Sequence, residues 1–488
     1  MSRPPSVLVL GGSVAGLALA LLCARRGSSV TVLEADAGAV ARPFDETVGR
    51  DPRWATPQAA HSHAFLGRAV AILRAEAPDV LDDLLAAGAR LLPLAVNRPA
   101  TLPPSEPTPG DDDLAVLLAR RTTFEAVLRR VVARETDVTL TSGCAATGLE
   151  LDRSGRLPRV VGAHGEDGRV RHADVVVDAT GRRGEVGRWL VDADVPVEVA
   201  DADCGIAYHS RFYRLRLGAG WGPLNRGATA GASYDRYSCL VFPGDNDTFS
   251  VTFGTLPEDR DLAGLRRGAA FDAAARSLEL VAPWVDEHRA EPISPVRTMT
   301  RMRNRLRRTA RDGVPTVTGF VTLADAAAIS NPAHSRGCAL ALAHAQRLAD
   351  AIAVSGHDPV TIALAGDRIV TGTLAPWVAD SEQQDRARLA RWRPDTPLPP
   401  AVFDAPTHRV DNGGAYVAAQ HDPVVWRAFT RLQQLLVDPV DVLDDEDVAA
   451  RVTAVREAGL GLPPHVAPDH GELATLLAHH TERVPGGR

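Results

Sequence analysis

The chain opens with SVLVLGGSVAGLALALLCARRGSSVTVLEAD, Ser6 to Asp36. Ser6 to Leu10 is a short leucine and valine run, the pattern of a parallel strand buried on both faces. A glycine pair follows, then a helical stretch from Ala15 to Arg26, then a second strand-like run from Ser29 to Leu33. Strand, tight glycine turn, helix and strand within about thirty residues make a mononucleotide-binding unit of the doubly wound folds. Ser6 to Ala24 is apolar enough to imitate a secretion signal, but the glycine pair interrupts it and a strand follows at once, so it reads as folded.

The turn is GGSVAG, Gly11 to Gly16, and Glu34 ends the second strand eighteen residues later. Read as GxGxxG from Gly11, it has Ser13 at the middle position and Gly16 at the third. Serine is the next smallest residue that lets backbone N–H groups approach a pyrophosphate at a helix N-terminus, where partial positive charge accumulates. Glu34 is placed to accept hydrogen bonds from ribose hydroxyls, and an acid there disfavours a 2′-phosphate. The motif therefore points to FAD or NAD rather than NADP, against the simpler alternative of a structural glycine turn.

With 488 residues, 45% of them hydrophobic, the chain suits two or three packed subdomains. Its 54 basic residues are all arginine and are outnumbered by 61 acids, for a net charge of −7. Nucleic acid is an unexpected partner for that balance. Without lysine there is no Schiff-base lysine, no pyridoxal-phosphate anchor and no Walker-A loop. The five cysteines (Cys23, Cys144, Cys204, Cys239, Cys338) lack CxxC pairing, which argues against a disulfide framework or zinc site. No other stretch approaches the roughly 20 apolar residues of a membrane span, so the expectation is a reduced, cytoplasmic protein.

Further along, His61 to Arg90 reads as two helices broken near Pro78, Arg98 to Asp113 as a surface loop, and Thr122 to Ala133 as an amphipathic helix. Val138–Thr141, Arg159–Ala163 and Val170–Val177 read as strands, the last running into the turn of DVVVDATG, Asp174 to Gly181. From about Glu185 to Arg297 short alternating runs (GIAYHSRFYRLRL, YSCLVFPG, TFSVTFGTL) indicate an antiparallel sheet. Buried-strand character returns near Val314, and a helix is expected over Gly337 to Ala353. The rest is mostly helical, without an internal repeat.

Three more stretches carry a resemblance: RWATPQAAHSHAFL (Arg53–Leu66), DVVVDATGRRGEVGRWL (Asp174–Leu190) and LADAAAISNPAHSRGCALALAHAQRLADAI (Leu323–Ile352). In this order, over roughly residues 1 to 355, the chain resembles the FAD-dependent aromatic hydroxylase and epoxidase superfamily (group A flavoprotein monooxygenases), nearest the actinomycete branch of polyether epoxidases. The resemblance implies an α/β fold with a Rossmann-like FAD-binding domain of glutathione-reductase type over 1–184 and 300–355. An antiparallel β-sheet substrate domain would span 185–299 and a C-terminal helical region 356–488. It implies an enzyme that uses a flavin C4a-hydroperoxide to oxygenate an apolar olefin or aromatic in specialised metabolism, with O2 as co-substrate. NAD(P)H would visit transiently, since GAGWG at Gly218–Gly222 lacks a helix behind it, or a separate flavin reductase would supply electrons.

The resemblance also assigns roles. Gly11, Gly12, Ser13, Ala15, Gly16 and Glu34 would hold the ADP half, and Arg121 the pyrophosphate or adenosine end. Asp325 would bond the ribityl chain or pyrophosphate. Asn331-Pro332 would pass beside the isoalloxazine, with Arg336, Gly337 and Cys338 aiming a helix N-terminus at its N1/O2 edge. Arg53 and Gln58 would lie on the flavin's mobile side. Two departures stand out: Ala324-Asp325 replaces a Gly-Asp pair, and Ser335-Arg336-Gly337 replaces GxG, placing an arginine near the flavin. A halogenase is disfavoured, because that family uses a catalytic lysine and a WxWxIP motif and this chain has neither. A hydride-transferring flavoenzyme without oxygen insertion and a catalytically idle FAD-binding partner protein are the other readings.

Arg53, His61, His63 and Pro332 are the candidate catalytic residues. The histidines are possible proton donors, against the plainer role of capping or surface residues. Tyr208, Arg211, Tyr213 and Tyr237 are the candidate substrate contacts, with His209 and Tyr234 on the same runs, although strand aromatics are more often core. The seven arginines of Arg297–Arg311 are either a solvated face or a docking surface for anionic groups. Pro376–Arg393 reads as a charged helix over the flavin domain or a dimer surface. No metal site is expected.

Overall fold

The computed structural model describes residues 4–37, 57–103 and 106–482. Its centre is a five-stranded parallel sheet. Strand β1 (Val7–Leu10), helix α1 (Val14–Arg25) and strand β2 (Val30–Glu34) form the unit read from the sequence. Helix α2 (Arg121–Val132) leads into β3 (Val138–Ser142), which adds outside β2, while β4 (Val175–Asp178) pairs with the other edge of β1. The strand Phe320–Thr322 joins β4, so the order is Phe320–Thr322, β4, β1, β2, β3. All four residues of β1 are buried, as sheet faces covered on both sides require. The expected strand Val170–Val177 is two strands. Val170–His172 belongs to a separate antiparallel sheet, and the chain then turns at Asp174, whose carboxylate accepts from the Ser6 N–H and hydroxyl, both at 2.8 Å.

The segment between β4 and Phe320 builds a mainly antiparallel sheet. Strands β5 (Ala207–Leu215), β6 (Ala230–Ser233), β7 (Ser238–Pro243) and β8 (Thr248–Thr255) pair in the order β6, β7, β8, β5. Helix α3 (Gly268–Arg276) covers one face, and β9 (Arg297–Met299) extends the β5 edge. Within the arginine run Arg301 and Arg311 are exposed, while the arginines of the strand between them are half-buried and paired with acids. Strand β10 (Arg303–Arg308) pairs with the acidic strand Glu198–Asp203, where Arg303 and Arg305 both bond Asp201, at 2.9 and 3.0 Å. Arg308 bonds Asp367 at 2.9 Å.

Helix α4 (Gly337–Ser355) packs against α1, covering the parallel sheet. The C-terminal region supplies α5 (Ala375–Trp392), which packs on β10, and α6 (His470–Glu482), whose Leu473 and Leu477 complete the core beneath α3. No helix among the described residues is long and apolar enough to cross a membrane.

One buried ion pair fastens the antiparallel sheet to the parallel one. Arg120, just before α2, bonds Asp245 in the β7–β8 turn at 2.6 Å, with both side chains almost fully buried. The Asp245 carboxylate also takes the Arg120 N–H and the Thr123 hydroxyl. Arg120 holds its carboxyl below the usual range despite burial. Removing one partner of such a pair leaves an uncompensated buried charge, costing about 3–5 kcal/mol. Asp245→Ala is therefore expected to lower the unfolding free energy, read by urea titration of the transition that involves this junction, by that amount, whereas Asp201→Ala on the half-exposed arginine ladder costs about 1 kcal/mol or less.

Candidate functional site

In a doubly wound sheet, ligands bind outside the carboxyl ends of the strands where the strand order reverses. Here that point lies between β1 and β4. Gly11 follows β1 with φ +108°, and a Cβ on it would sit 2.5 Å from the Ala179 carbonyl oxygen after β4. A Cβ on Gly16 would collide with the Gly11 carbonyl oxygen, so both positions require glycine. Glu34 is buried, and its two carboxylate oxygens accept the N–H groups of Gly12 and Asp36 at 2.7 and 2.8 Å.

Ser13 is the N-cap of α1, yet its hydroxyl does not cap the helix. It donates to Glu125 at 2.8 Å and accepts from Arg121 at 2.9 Å, both on α2. Arg129, also on α2, donates to the Gly12 carbonyl oxygen. Helix α2 thus holds the glycine turn from outside, and the first N–H groups of α1 are left for another acceptor. Ala15 lies in that first turn.

Facing this turn are Gly181, Asp325 and the start of α4. Asp325 accepts no hydrogen bond among the described residues; burial pushes its carboxyl up, and Arg121 and Arg182 pull it back. Arg182 contacts the Met299 sulfur through both terminal nitrogens at 3.7 Å. Helix α4 begins at exposed Gly337 without a side-chain cap, and a Cβ there would meet no heavy atom within 4 Å. Cys338 is buried, its thiol pushed up by burial and close enough to Arg121 and Asp325 to feel both charges. Pro332 is exposed on the short turn Pro332–His334. Two uncapped helix N-termini, a carboxylate for ribose hydroxyls and a free carboxylate beside two guanidinium groups suit a dinucleotide carrying a pyrophosphate and a polyol chain, and these residues fit FAD.

Ala324, which stands where the sequence resemblance implied glycine, has a left-handed backbone (φ +50°). Its N–H donates to Nδ1 of His344 at 3.1 Å. Arg336 does not face the cleft. Its guanidinium pairs with Asp380 of α5 at 2.5 Å and lies over the Trp377 ring at 4.7 Å.

Strand alternation separates the candidate substrate residues. Tyr208, Ser210 and Phe212 share one face of β5 with Ser250 and Thr252 of β8 and Leu240 and Phe242 of β7. The segment His61–His63 lies across this face: His61 Nδ1 bonds the Ser210 hydroxyl at 2.9 Å, and Ser62 bonds Ser250 and Thr252 at 2.7 and 2.6 Å. Tyr208 donates to the Asn331 side-chain oxygen at 2.9 Å, reaching the Pro332 turn. His209, Arg211 and Tyr213 point the other way. Tyr213 and Arg211 meet on Asp272 of α3 at 2.6 and 2.7 Å, and Tyr237 donates to the Pro468 carbonyl in the core under α6. Tyr234 stacks on Tyr237. Arg211, Tyr213 and Tyr237 are therefore placed as framework, because period two puts them on the helix-covered side. Gln58 sits in the turn Pro57–Ala60 beside His61, and Arg53 lies outside the described residues.

Burial lowers His61 to about 4, helped by Arg182, and lowers His63 to about 3, helped by Arg121. Both are neutral at pH 7. The reading of single residues missed the hydroxyl row of Ser62, Ser210, Ser250 and Thr252, although alternation in YHSRFYRL and TFSVTFGTL carried the signal. It also missed Arg129, which looks like any surface arginine of an amphipathic helix.

No family model and no curated protein matches the chain. Solved structures do. PqsL from Pseudomonas aeruginosa, a probable FAD-dependent monooxygenase, is similar at a TM-score of 0.56 and 19% identity over 80% of this chain and 98% of that one. The flavin-dependent brominase Bmp2 is similar at 0.58 and 17%, over 94% and 99%. The p-nitrophenol 4-monooxygenase PnpA from Pseudomonas putida DLL-E4 is similar at 0.55 and 14%, over 95% and 100%. The chain thus shares the fold of FAD-dependent monooxygenases and halogenases.

Two outcomes follow from the Ala324–His344 contact. Ala324→Gly relieves the left-handed strain and, after the added chain entropy, is expected to stabilise the fold by about 1 kcal/mol in urea unfolding. His344 is fully buried and its pKa is pushed down to about 3. As pH falls from about 6.5, the unfolded chain takes up a proton that native His344 refuses. Stability is lost down to about pH 3, by up to about 1.4 kcal/mol per pH unit. His344→Asn keeps an acceptor for Ala324 and removes the titration, so its stability is expected to fall less steeply than wild type between pH 6.5 and 4.5.

Proposed function

We propose that the protein is an FAD-dependent monooxygenase that oxygenates an apolar, electron-rich substrate, an olefin or an aromatic, in specialised metabolism. The observation that carries this reading is the convergence of the Gly11–Gly16 turn, Glu34, Asp325 and the uncapped start of α4 on one cleft. The Tyr208–Thr252 sheet face, joined to the Pro332 turn by the Tyr208–Asn331 bond, would form its other wall.

When bound, FAD supplies the redox chemistry, accepting electrons and activating O2. The chain supplies position and environment. Gly11, Gly12 and the first turn of α1 would hold the pyrophosphate, Glu34 the adenosine ribose and Asp325 the ribityl hydroxyls. The N-terminal amides of α4 would lie against the negative edge of the ring. Leu240 and Phe242 offer apolar contact to substrate, and the hydroxyl row orients any polar substituent. Electrons would come from NAD(P)H as a visitor or from a separate flavin reductase.

The depressed histidines favour an olefin over a phenol. A general base works best with a pKa near the operating pH. His61, lowered to about 4, is a weak base and a neutral hydrogen-bonding group at pH 7. Epoxidation of an olefin needs no substrate ionisation, which suits this site. Halogenation is disfavoured by the lack of a lysine. The hydride-transfer reading drew its support from an arginine beside the flavin, and Arg336 is turned onto Asp380 instead.

The test is reconstitution with FAD, reduction, and reaction under 18O2 with a panel of terpenoid and polyene olefins alongside phenols. One labelled oxygen atom in the product is expected, with olefins preferred. An oxidised or saturated product without label would assign the chain to hydride transfer, and failure to take up FAD would overturn the reading altogether.

A further inference from the structure

The loop Asn331–Arg336 is held at both ends by one helix of the C-terminal region. At its start, Asn331 is fully buried with every polar group engaged. Its N–H is shared between the Asn304 side-chain oxygen and the Ser381 hydroxyl, both at 2.9 Å. Its side-chain amide donates to Asp385 at 2.5 Å, and its side-chain oxygen accepts from Tyr208 and from the Ala333 N–H. Asp385 in turn takes Asn304 at 2.8 Å and Arg388 at 2.9 Å, and Ser381 donates to Asn304 at 2.8 Å. At the loop's end, Arg336 pairs with Asp380. Asp380, Ser381 and Asp385 all belong to α5 and are at most 5% exposed.

Two acids and a serine buried on one helix face are costly to desolvate, and apolar residues of similar size would stabilise a plain packing contact as well or better. A saturated network does what apolar packing cannot: it fixes one arrangement of hydrogen-bond donors. Between the two attachments the chain presents exposed Pro332 and Ala333 and left-handed Ser335, then enters α4 at Gly337. The attachments therefore set where the first amides of α4 point. Preorganised donors stabilise a negative charge far better than donors free to turn toward water.

We propose that α5 is a latch on this loop, with Asp385 and Ser381 as positioning residues that aim the start of α4 and so strengthen the hold on reduced, anionic FAD relative to oxidised FAD. The inference rests on the FAD reading above. It gives the C-terminal region a part in the chemistry through the loop that it holds.

The experiment uses the full chain reconstituted with FAD, comparing wild type with Asp385→Asn and Ser381→Ala. Asparagine at 385 turns an amide toward Asn304, so two donors face each other and the network opens. Amide hydrogen exchange over residues 331–337 reads the latch, and the flavin midpoint potential against a reference dye reads its consequence. The expected result for Asp385→Asn is faster exchange at Asn331 and Ala333, with FAD retained. The preference for reduced over oxidised FAD should fall about tenfold, some 30 mV for a two-electron couple. Ser381→Ala removes one of two acceptors for the Asn331 N–H and is expected to shift both readouts in the same direction by less, which keeps the test decisive if Asp385→Asn fails to fold. Faster exchange at an unchanged potential overturns the proposal, as does unchanged exchange. Wild type that takes up no FAD overturns the functional reading and this inference together. That outcome is distinct from wild type and variant holding FAD at the same potential, which overturns the inference alone.

Discussion

Gly16 touches the carbonyl of Gly11, and the rest of the molecule is arranged around that contact. It lets α1 start directly behind the end of β1, so that the helix N-terminus and the carboxyl ends of β1 and β4 share one crevice. Close approach alone does not fix the turn. Ser13, standing where a glycine is usual, uses its hydroxyl to reach Arg121 and Glu125, and Arg129 takes the Gly12 carbonyl. The third layer of the unit, α2, is thereby tied to the turn by hydrogen bonds as well as by packing. A residue slightly too large for the fingerprint has become the handle by which the turn is held.

The same logic explains what was legible in the sequence. Two-sided burial writes itself as continuous apolar runs, so β1, α1, β2 and β4 were readable, and a glycine that must approach another backbone announces itself by position. The antiparallel sheet was readable as alternation, but alternation alone does not say which face meets the cofactor domain. That choice is made by the His61–His63 segment on one side and α3 on the other, both distant in sequence. Tyr208 and Tyr213 look equivalent as strand aromatics, yet five residues of odd spacing put one against Asn331 and the other against Asp272.

Buried polar residues were the least legible. Arg303 and Arg305 read as solvent-facing because their counter-charge, Asp201, lies about a hundred residues earlier. Asp380, Ser381 and Asp385 give α5 the polar composition of a surface helix, although that face is buried against Asn304 and Asn331. Ala324 and Arg336 read as departures in the flavin loop. In the fold, Ala324 takes a left-handed backbone at the cost of strain, and Arg336 is held in an ion pair with Asp380.

A chain whose only strong base is arginine carries a further constraint. A guanidinium keeps its charge in proteins, so it cannot escape burial by losing a proton as a lysine does. Each deeply buried one needs an acid or a carbonyl: Asp245 for Arg120, Asp380 for Arg336, Gly12 for Arg129. Burial, helped by the positive charges of Arg182 and Arg297 at His61 and of Arg121 at His63, keeps both histidines neutral, while burial drives the Cys338 thiol and the Tyr208 hydroxyl upward. None of these four groups changes charge near pH 7. Proton traffic at the reacting centre then falls to the substrate, the cofactor, water and the Asp325 carboxyl, which burial pushes up. Such a site is suited to a reaction whose barrier is lowered by orientation and dryness more than by acid–base exchange with the protein.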